Sequence, residues 1–298
     1  MAQKKIRWHL PGFCYNFYLN QIIINLMKEY RDCFRDDYTV GSVYGTFPGA
    51  IWNGGRAVFG LTSKSDMKKI LSTYERFDVP VRFTWTNPLI NDIHVNDTYC
   101  NLIMNLADNG KNEVLVNSTV LEDYLRDKYP NFGFISSTTK RILDMDTLMK
   151  EFDKDYRLVV LDYDLNKNEE ALKALEPYAD RIEILVDEIC YSECPKRKQH
   201  YEDEARAQLE FEKGTTFPCP NKKTPPKFSE CMKRPSFISA NEIQDYVDRG
   251  FVNFKLVGRG LPQDMVIDSY IYYLVKEDKQ DFIRGRVNKA LAQITSKR

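Results

Sequence analysis

The chain has 298 residues, with 43 Lys and Arg against 43 Asp and Glu, and 43% of its residues are hydrophobic. This length and apolar content are enough for one large domain or two ordinary ones. A net charge of zero excludes a global basic field that would recruit nucleic acid or anionic lipid. No apolar run of about 18 residues occurs, and no apolar signal segment follows the first residues. We therefore expect a cytoplasmic protein with no membrane partner.

The seven cysteines also favour a cytoplasmic protein. Their number is odd, and the chain begins without an export signal. Both features argue against a disulfide framework and favour reduced thiols. Some of these thiols are then available to bind a metal.

Short runs rich in β-branched and aromatic residues recur along the chain, and amphipathic helical patterns separate them. Several runs, such as 158–161 and 182–186, are almost continuously apolar, which is typical of a parallel sheet covered by helices. The predicted strands cover residues 5–10, 38–45, 79–85, 113–117, 132–136, 157–162, 181–186 and 251–257.

Eight alternating strand and helix units in a chain of this length predict a (β/α)8 TIM-type barrel. We predict one barrel domain over residues 1–298. A doubly wound open sheet is the alternative, but no Gly-x-Gly-x-x-Gly turn follows the first strand. Two predicted helices show apolar residues at the spacing of one helix face: Leu19, Ile22, Ile23 and Leu26, then Met67, Ile70, Leu71 and Tyr74.

One long insertion, residues 187–250, separates the seventh predicted strand from the eighth. It is far longer than an ordinary connection in a barrel, and such segments are usually functional or disordered. A charged helical pattern at 201–213 is followed by a loop rich in Pro, Lys and Cys at 215–235. The cysteines favour a functional insertion.

Four cysteines of this insertion form a candidate metal site: Cys190, Cys194, Cys219 and Cys231. Four thiolates suit either a 4Fe-4S cluster or a structural zinc ion, and a metal would tie down a loop without a core of its own. The spacing is wider than the tight cysteine pairs typical of zinc, so iron and sulfur are favoured. Zinc and unliganded thiols remain alternatives.

Two other residues bear on this site. His200 is a possible substitute for one thiolate, although a histidine beside a charged helix is more often solvated. Cys14 follows the first strand and is the reserve ligand at the same rim. Cys33 lies in a helical pattern, as does Cys100, and both are expected to be core residues.

The active site of a TIM barrel lies in the loops after its strands. Arg56, Lys255 and Arg259 follow strands and are candidates to clamp a carboxylate or phosphate, together with Asn53. Glu188 is the candidate for proton transfer. We therefore predict Glu188, Lys255 and Arg259 as catalytic residues, although capping or solvated charges would explain the basic residues equally well.

Two carboxylates follow the sixth strand, Asp162 and Asp164. Together they are candidates for substrate binding, for a divalent cation or for acid and base roles. A turn capped by the aspartate side chains is the simpler explanation.

Three segments resemble the U32, or collagenase-like, peptidase family. Residues 186–194 read VDEICYSEC after a late strand, residues 254–259 read FKLVGR, and residues 50–56 read AIWNGGR. The second segment is similar to the strand end FKIEGR of that family. The resemblance follows the order of elements over most of the chain.

This resemblance implies a TIM barrel and, in some members, oxygen-independent hydroxylation of ubiquinone precursors, tRNA or ribosomal RNA with a four-iron cluster. Carried over to this chain, the four cysteines of the insertion become the cluster ligands. The resemblance also implies an electron donor or a partner subunit. No nucleophile elbow or His-Glu-x-x-His motif supports the peptidase name.

Our leading functional hypothesis is a U32-like iron-sulfur enzyme, or enzyme subunit, that acts on a carboxylate- or phosphate-bearing small molecule. RNA is a second possible substrate, because the insertion and the C-terminal tail are mildly basic, but the signal is weak without interleaved aromatic residues. A non-catalytic barrel held by zinc, which serves as a binding module, is the alternative. A peptidase ranks last because no nucleophile can be named.

Overall fold

The computed structural model describes residues 5–212, 219 and 227–296. Within these residues, eight parallel strands close into a barrel in chain order. Each strand pairs with the next one, and β1 pairs with β8 to complete the ring. The predicted (β/α)8 barrel is confirmed, and the open sheet is excluded.

Every predicted strand overlaps an observed one. The strands are β1 Ile6–Pro11, β2 Tyr38–Gly45, β3 Val81–Trp85, β4 Glu113–Val116, β5 Gly133–Ser136, β6 Leu158–Val160, β7 Ile182–Leu185 and β8 Asn253–Lys255. The α-helices of the described residues are α1 Phe17–Glu29, α2 Lys64–Arg76, α3 Thr98–Ala107, α4 Thr119–Lys128, α5 Met145–Phe152, α6 Glu169–Leu175, α7 Arg197–Glu210, α8 Phe228–Cys231, α9 Ile243–Asp248, α10 Gln263–Leu274 and α11 Gln280–Thr295.

The helices cover the outside of the barrel through their apolar faces. All residues of the two faces predicted for α1 and α2 are buried. Burying one such aliphatic side chain contributes about 1.5–3 kcal/mol. None of the described helices combines the length and the apolar character that crossing a membrane requires.

A buried network of charges lies in the barrel interior. Arg82 on β3 pairs with Glu113 on β4 and with Glu183 on β7. The Lys255 Nζ atom on β8 lies 2.9 Å from Glu183 Oε1, and His9 Nε2 lies 3.5 Å from the other oxygen of this carboxylate. All five side chains are at most 5% exposed.

A small apolar cluster lies farther along the same interior faces. In the register of the sheet, Leu185 is level with Lys255, and Leu115 is level with Thr84. Because the interior is filled with side chains, a ligand has room only beyond the strand ends. The cluster consists of Leu115, Ile135, Leu158, Val160 and Leu185.

The insertion supplies α7, α8 and α9. The helix predicted at 201–213 begins earlier than expected, at Arg197, and is followed to Glu210. Most of the predicted loop at 215–235 lies outside the described residues, which resume at 227 after the single residue 219.

Candidate functional site

A half-open pocket lies at the C-terminal mouth of the barrel and has a volume of about 70 Å³. We call it the mouth pocket. Its walls come from strand ends, from the loops after β2, β3, β5, β7 and β8, and from α7. It is lined by Tyr44, Gly55, Arg56, Thr84, Thr86, Leu115, Ser137, Thr138, Thr139, Leu185, Glu188, Arg197, Tyr201, Lys255, Val257 and Arg259.

Arg259 supplies a positive charge that no carboxylate of the described residues neutralises directly. Its Nη1 atom donates to Asn53 Oδ1 at 3.1 Å, to Gly54 O at 3.2 Å and to Thr84 Oγ1 at 2.9 Å, which are all neutral acceptors. Burial lowers the pKa of Arg259, and the nearby charge of Arg56 lowers it further. The guanidinium remains protonated, since its ordinary pKa is above 12.

Arg56 is the second guanidinium of the pocket, and it also forms no ion pair with a described residue. The carboxylate of Glu204 interacts electrostatically with both arginines at longer range but forms an ion pair with neither. That carboxylate instead accepts a hydrogen bond from Ala57 N at 2.8 Å and lies 3.5 Å from His200 Nε2. The pocket therefore presents two guanidinium groups that have no direct counter-ion in the described part of the chain.

Lys255 reaches the pocket from below and is held on two sides. Besides its ion pair with Glu183, the ammonium lies 4.3 Å from the centre of the Tyr44 ring, a favourable cation-π distance. Burial lowers the pKa of Lys255, although Glu183 opposes this effect.

Glu188 is the carboxylate of the mouth pocket, and it is 4% exposed. Its Oε1 atom accepts a hydrogen bond from Cys190 N at 2.9 Å, and its Oε2 atom lies 3.3 Å from Arg197 Nη2. The guanidinium and the backbone N–H hold the carboxylate in one orientation. Such a group can accept a proton from a bound molecule.

Helix α7 crosses the mouth and joins it to the loop after β2. Arg197 and Tyr201 on this helix line the pocket. One turn farther, Glu204 binds Ala57 N, and Gln208 Oε1 accepts a hydrogen bond from Val58 N at 2.6 Å. Sequence reasoning missed Arg197 and Tyr201 as site residues, yet the spacing of residues 197, 201, 204 and 208 marks one helix face.

Three buried polar atoms of the lining residues have no hydrogen-bond partner in the part of the chain that is described: Thr86 Oγ1, Thr138 Oγ1 and Arg197 Nε. Thr86 is 1% exposed and Arg197 is 6% exposed. A buried donor without a partner costs about 1–3 kcal/mol. Because all three atoms are closed to solvent, they do not add donors to the open space of the pocket.

The remaining predicted substrate-binding residues lie beside the pocket and are not among its lining residues. Asn53 is fully buried and supports both Arg259 and Thr84. Asp162 and Asp164 bind Arg141, with Asp162 held through both carboxylate oxygens. Burial raises the pKa of Asp162 to about 6, although Arg141 opposes this effect.

The cysteines of the insertion only partly come together. Cys190 and Cys194 are close enough for the charge of Cys194 to raise the pKa of Cys190, which burial raises most. Cys231 is buried in the core. Burial raises the pKa of its thiol, and the nearby charges of Asp187 and Glu188 raise it further. Cys219 is half-buried.

No three or more His, Cys, Asp and Glu side chains are arranged to hold a metal ion within the described ranges. All seven cysteines are free thiols there. Cys14 lines a separate groove, beside Tyr15 and Ile70, and burial raises its pKa to about 11. Cys33 and Cys100 are buried in the hydrophobic core, as expected.

The fold and the mouth pocket define a TIM-barrel protein with a cationic site at its C-terminal rim. No family model matches the chain, and no curated protein matches it. Among solved structures, the chain is similar to the U32 peptidase Mk0906, with a TM-score of 0.55. The two chains are 14% identical over 88% of this chain and 96% of that one. This likeness shows a shared fold, which agrees with the fold implied by the sequence resemblance.

Proposed function

We propose that this chain is an enzyme, or a subunit of one, that binds an anionic group of its substrate in the mouth pocket. The observation that carries the proposal is the pair of guanidinium groups, Arg56 and Arg259, for which the described residues supply no direct counter-ion. A guanidinium binds a carboxylate or phosphate through parallel, charge-assisted hydrogen bonds. The small volume of the pocket favours a small molecule, or one end of a larger one.

In this proposal Glu188 accepts a proton from the bound substrate. Arg197 orients the carboxylate, which acts as the general base. Lys255 and Arg259 stabilise the negative charge that develops on the substrate after the proton has left. These roles are consistent with the position of all four side chains on the rim of a barrel.

The test is a binding screen with small carboxylates, phosphomonoesters and neutral analogues of similar size. Anions should stabilise the protein against heat, since a ligand that binds only the folded state raises its stability. Arg259→Gln should abolish this effect, whereas Glu188→Gln should retain binding and lose turnover once a substrate is found. Equal stabilisation by neutral analogues, or unchanged anion binding in Arg259→Gln, would contradict the proposal.

A second candidate function is redox modification by a U32-like enzyme with a 4Fe-4S cluster on Cys190, Cys194, Cys219 and Cys231. The specific observation in its favour is the proximity of Cys190 and Cys194 at the rim, directly beside Glu188. A cluster would supply electron transfer next to the mouth pocket. All four cysteines lie among the described residues, which contain no group of three metal ligands, so the structure does not gather these thiols into a cluster site.

Anaerobic purification followed by iron and sulfide assays tests this second candidate. We expect about four irons per chain and a loss of iron in Cys190→Ala. Cys33→Ala serves as the matched control, because this buried cysteine belongs to the core. A colourless protein without iron would overturn the redox proposal, and a zinc-loaded one would favour the non-catalytic binding module.

A further inference from the structure

We infer that Asn53 is a positioning residue for the anion site of the mouth pocket. Its neutral side chain holds Arg259 and the backbone of Arg56 in place without cancelling the charge of either guanidinium. The inference rests on the proposed function and concerns the same site. Asn53 is not a lining residue, so its role runs through the two arginines and not through contact with the substrate.

The first argument is the set of hydrogen bonds that Asn53 makes. Its Oδ1 atom accepts from Arg259 Nη1 at 3.1 Å and from Thr84 Oγ1 at 2.7 Å. Its Nδ2 atom donates to the backbone carbonyl of Arg56 at 2.5 Å. A guanidinium only donates hydrogen bonds, so the amide oxygen must face Arg259 and the amide nitrogen must face Arg56 O. One fully buried side chain therefore ties the loop after β2 to the guanidinium that follows β8.

The second argument is the charge of this side chain. Aspartate has nearly the same size as asparagine and also accepts hydrogen bonds from a guanidinium, but it would form an ion pair with Arg259. A guanidinium that is already paired with a carboxylate of its own chain attracts an anion less. The amide of Asn53 supplies the acceptor without the charge, and Gly54 O and Thr84 Oγ1, which also hold Arg259, are neutral as well.

The third argument is a second neutral amide, on helix α7, that holds the other side of the loop after β2. Gln208 is fully buried, and its Oε1 atom lies 3.5 Å from Asn53 Nδ2. The same side chain accepts from Val58 N at 2.6 Å and donates to Val58 O at 3.3 Å. The backbone on either side of Ala57 is thus fixed by uncharged groups. The insertion contributes to the site in this way without adding a negative charge through Gln208.

Titration calorimetry on the full chain, with acetate and with inorganic phosphate at matched ionic strength, tests the inference. The anion that binds the wild type more tightly then serves as the probe for the variants. Asn53→Ala should weaken its binding about tenfold, because the substitution removes a hydrogen bond to a charged group. Asn53→Asp should weaken it further, because the new carboxylate would neutralise Arg259.

The melting temperatures of the same two variants separate this role from a purely structural one. Aspartate fills the space of asparagine, and its ion pair with Arg259 offsets the lost hydrogen bond to Arg56 O. We therefore expect Asn53→Asp to melt no lower than Asn53→Ala, although it binds the anion more weakly. If Asn53 only stabilised the fold, affinity and melting temperature would fall in the same order.

Asn20 offers a matched control, because it is an equally buried asparagine whose partners lie outside the pocket lining. Its Nδ2 atom donates to Pro11 O at 3.3 Å, and its Oδ1 atom accepts from Tyr270 Oη at 2.7 Å. Asn20→Ala should lower the melting temperature, since buried partners lose their hydrogen bonds. Its anion affinity should equal that of the wild type.

Two results would overturn the inference and leave the proposed function intact: wild-type affinity in both Asn53 variants, or affinities and melting temperatures of these variants that follow the same order. An equal loss of affinity in Asn20→Ala and Asn53→Ala would also overturn it, because affinity would then follow general stability. A wild type that binds neither anion would overturn the inference and the proposed function together.

Discussion

The substitution Glu183→Gln tests whether the buried charge network holds the barrel together. Glu183 is fully buried and neutralises Lys255 from 2.9 Å, and it also binds Arg82. Glutamine has nearly the same shape as glutamate, so the change removes a charge without creating a cavity. Lys255 is left buried without its carboxylate.

The expected loss follows from this geometry. Two unit charges 2.9 Å apart interact by about 6 kcal/mol at an effective dielectric constant of about 20. Part of this energy offsets the cost of burying Lys255, and that cost persists in the variant. Breaking a buried pair by removing one partner typically costs about 3–5 kcal/mol. We therefore expect the free energy of unfolding to fall by about that amount.

Urea unfolding of the wild type, Glu183→Gln, Lys255→Met and the double variant measures this effect. The double variant should be more stable than the sum of the single losses implies, because it leaves no unpaired lysine. Glu169→Gln is the control, since its ion pair with Arg249 is exposed and worth less than about 1 kcal/mol. A loss below about 1 kcal/mol in Glu183→Gln, with additive effects, would refute the reasoning.

The loss of stability in acid provides a second test of the role of Glu183. Burial alone would favour protonation, but Lys255 and Arg82 hold the pKa of Glu183 well below its ordinary value of 4.5. The stabilisation is therefore present above pH 4.5 and is lost as the pH falls further, because the unfolded chain binds the proton first. Glu183→Gln should lack this component of the acid sensitivity.

Two further predictions concern the backbone. Gly54→Ala should destabilise the protein by about 1–3 kcal/mol, because the added Cβ atom would lie 2.3 Å from Thr86 C. Gly285→Ala in α11 should stabilise the protein by up to about 1 kcal/mol, since no atom lies within 4 Å of the added Cβ atom. Urea unfolding measures both changes. Asn168→Ala should cost about 1 kcal/mol, because the Asn168 side chain accepts a hydrogen bond from Ala171 N at the start of α6. An unchanged melting temperature would contradict this role.

Much of the fold was predictable from periodicity. The almost continuous apolar runs at β6 and β7 indicated a parallel sheet, because both faces of such strands are covered. Strand ends were less predictable: the run at 157–162 became the short strand Leu158–Val160. Hydrophobicity reports burial, and the loop residues after a strand can be as buried as the strand itself.

The candidate site was predictable where a residue directly follows a strand. Glu188, Arg56 and Arg259 meet at the mouth pocket because the ends of all strands face one rim. Asp162 follows a strand equally closely, yet it binds Arg141 instead. Whether a residue after a strand lines the pocket or pairs with another side chain depends on partners that are distant in the sequence.

The sequence by itself determined the eight strand and helix units, the apolar helix faces and the set of charged residues at one rim. Local periodicity carries this information, because each element must bury one face. Only the tertiary structure decided which charges are neutralised. Glu183 and Lys255 are far apart in the chain and pair inside the barrel, whereas Arg56 and Arg259 meet without a counter-ion from within the described ranges. Closure of the barrel brings these residues close together, and no local pattern in the sequence encodes that proximity.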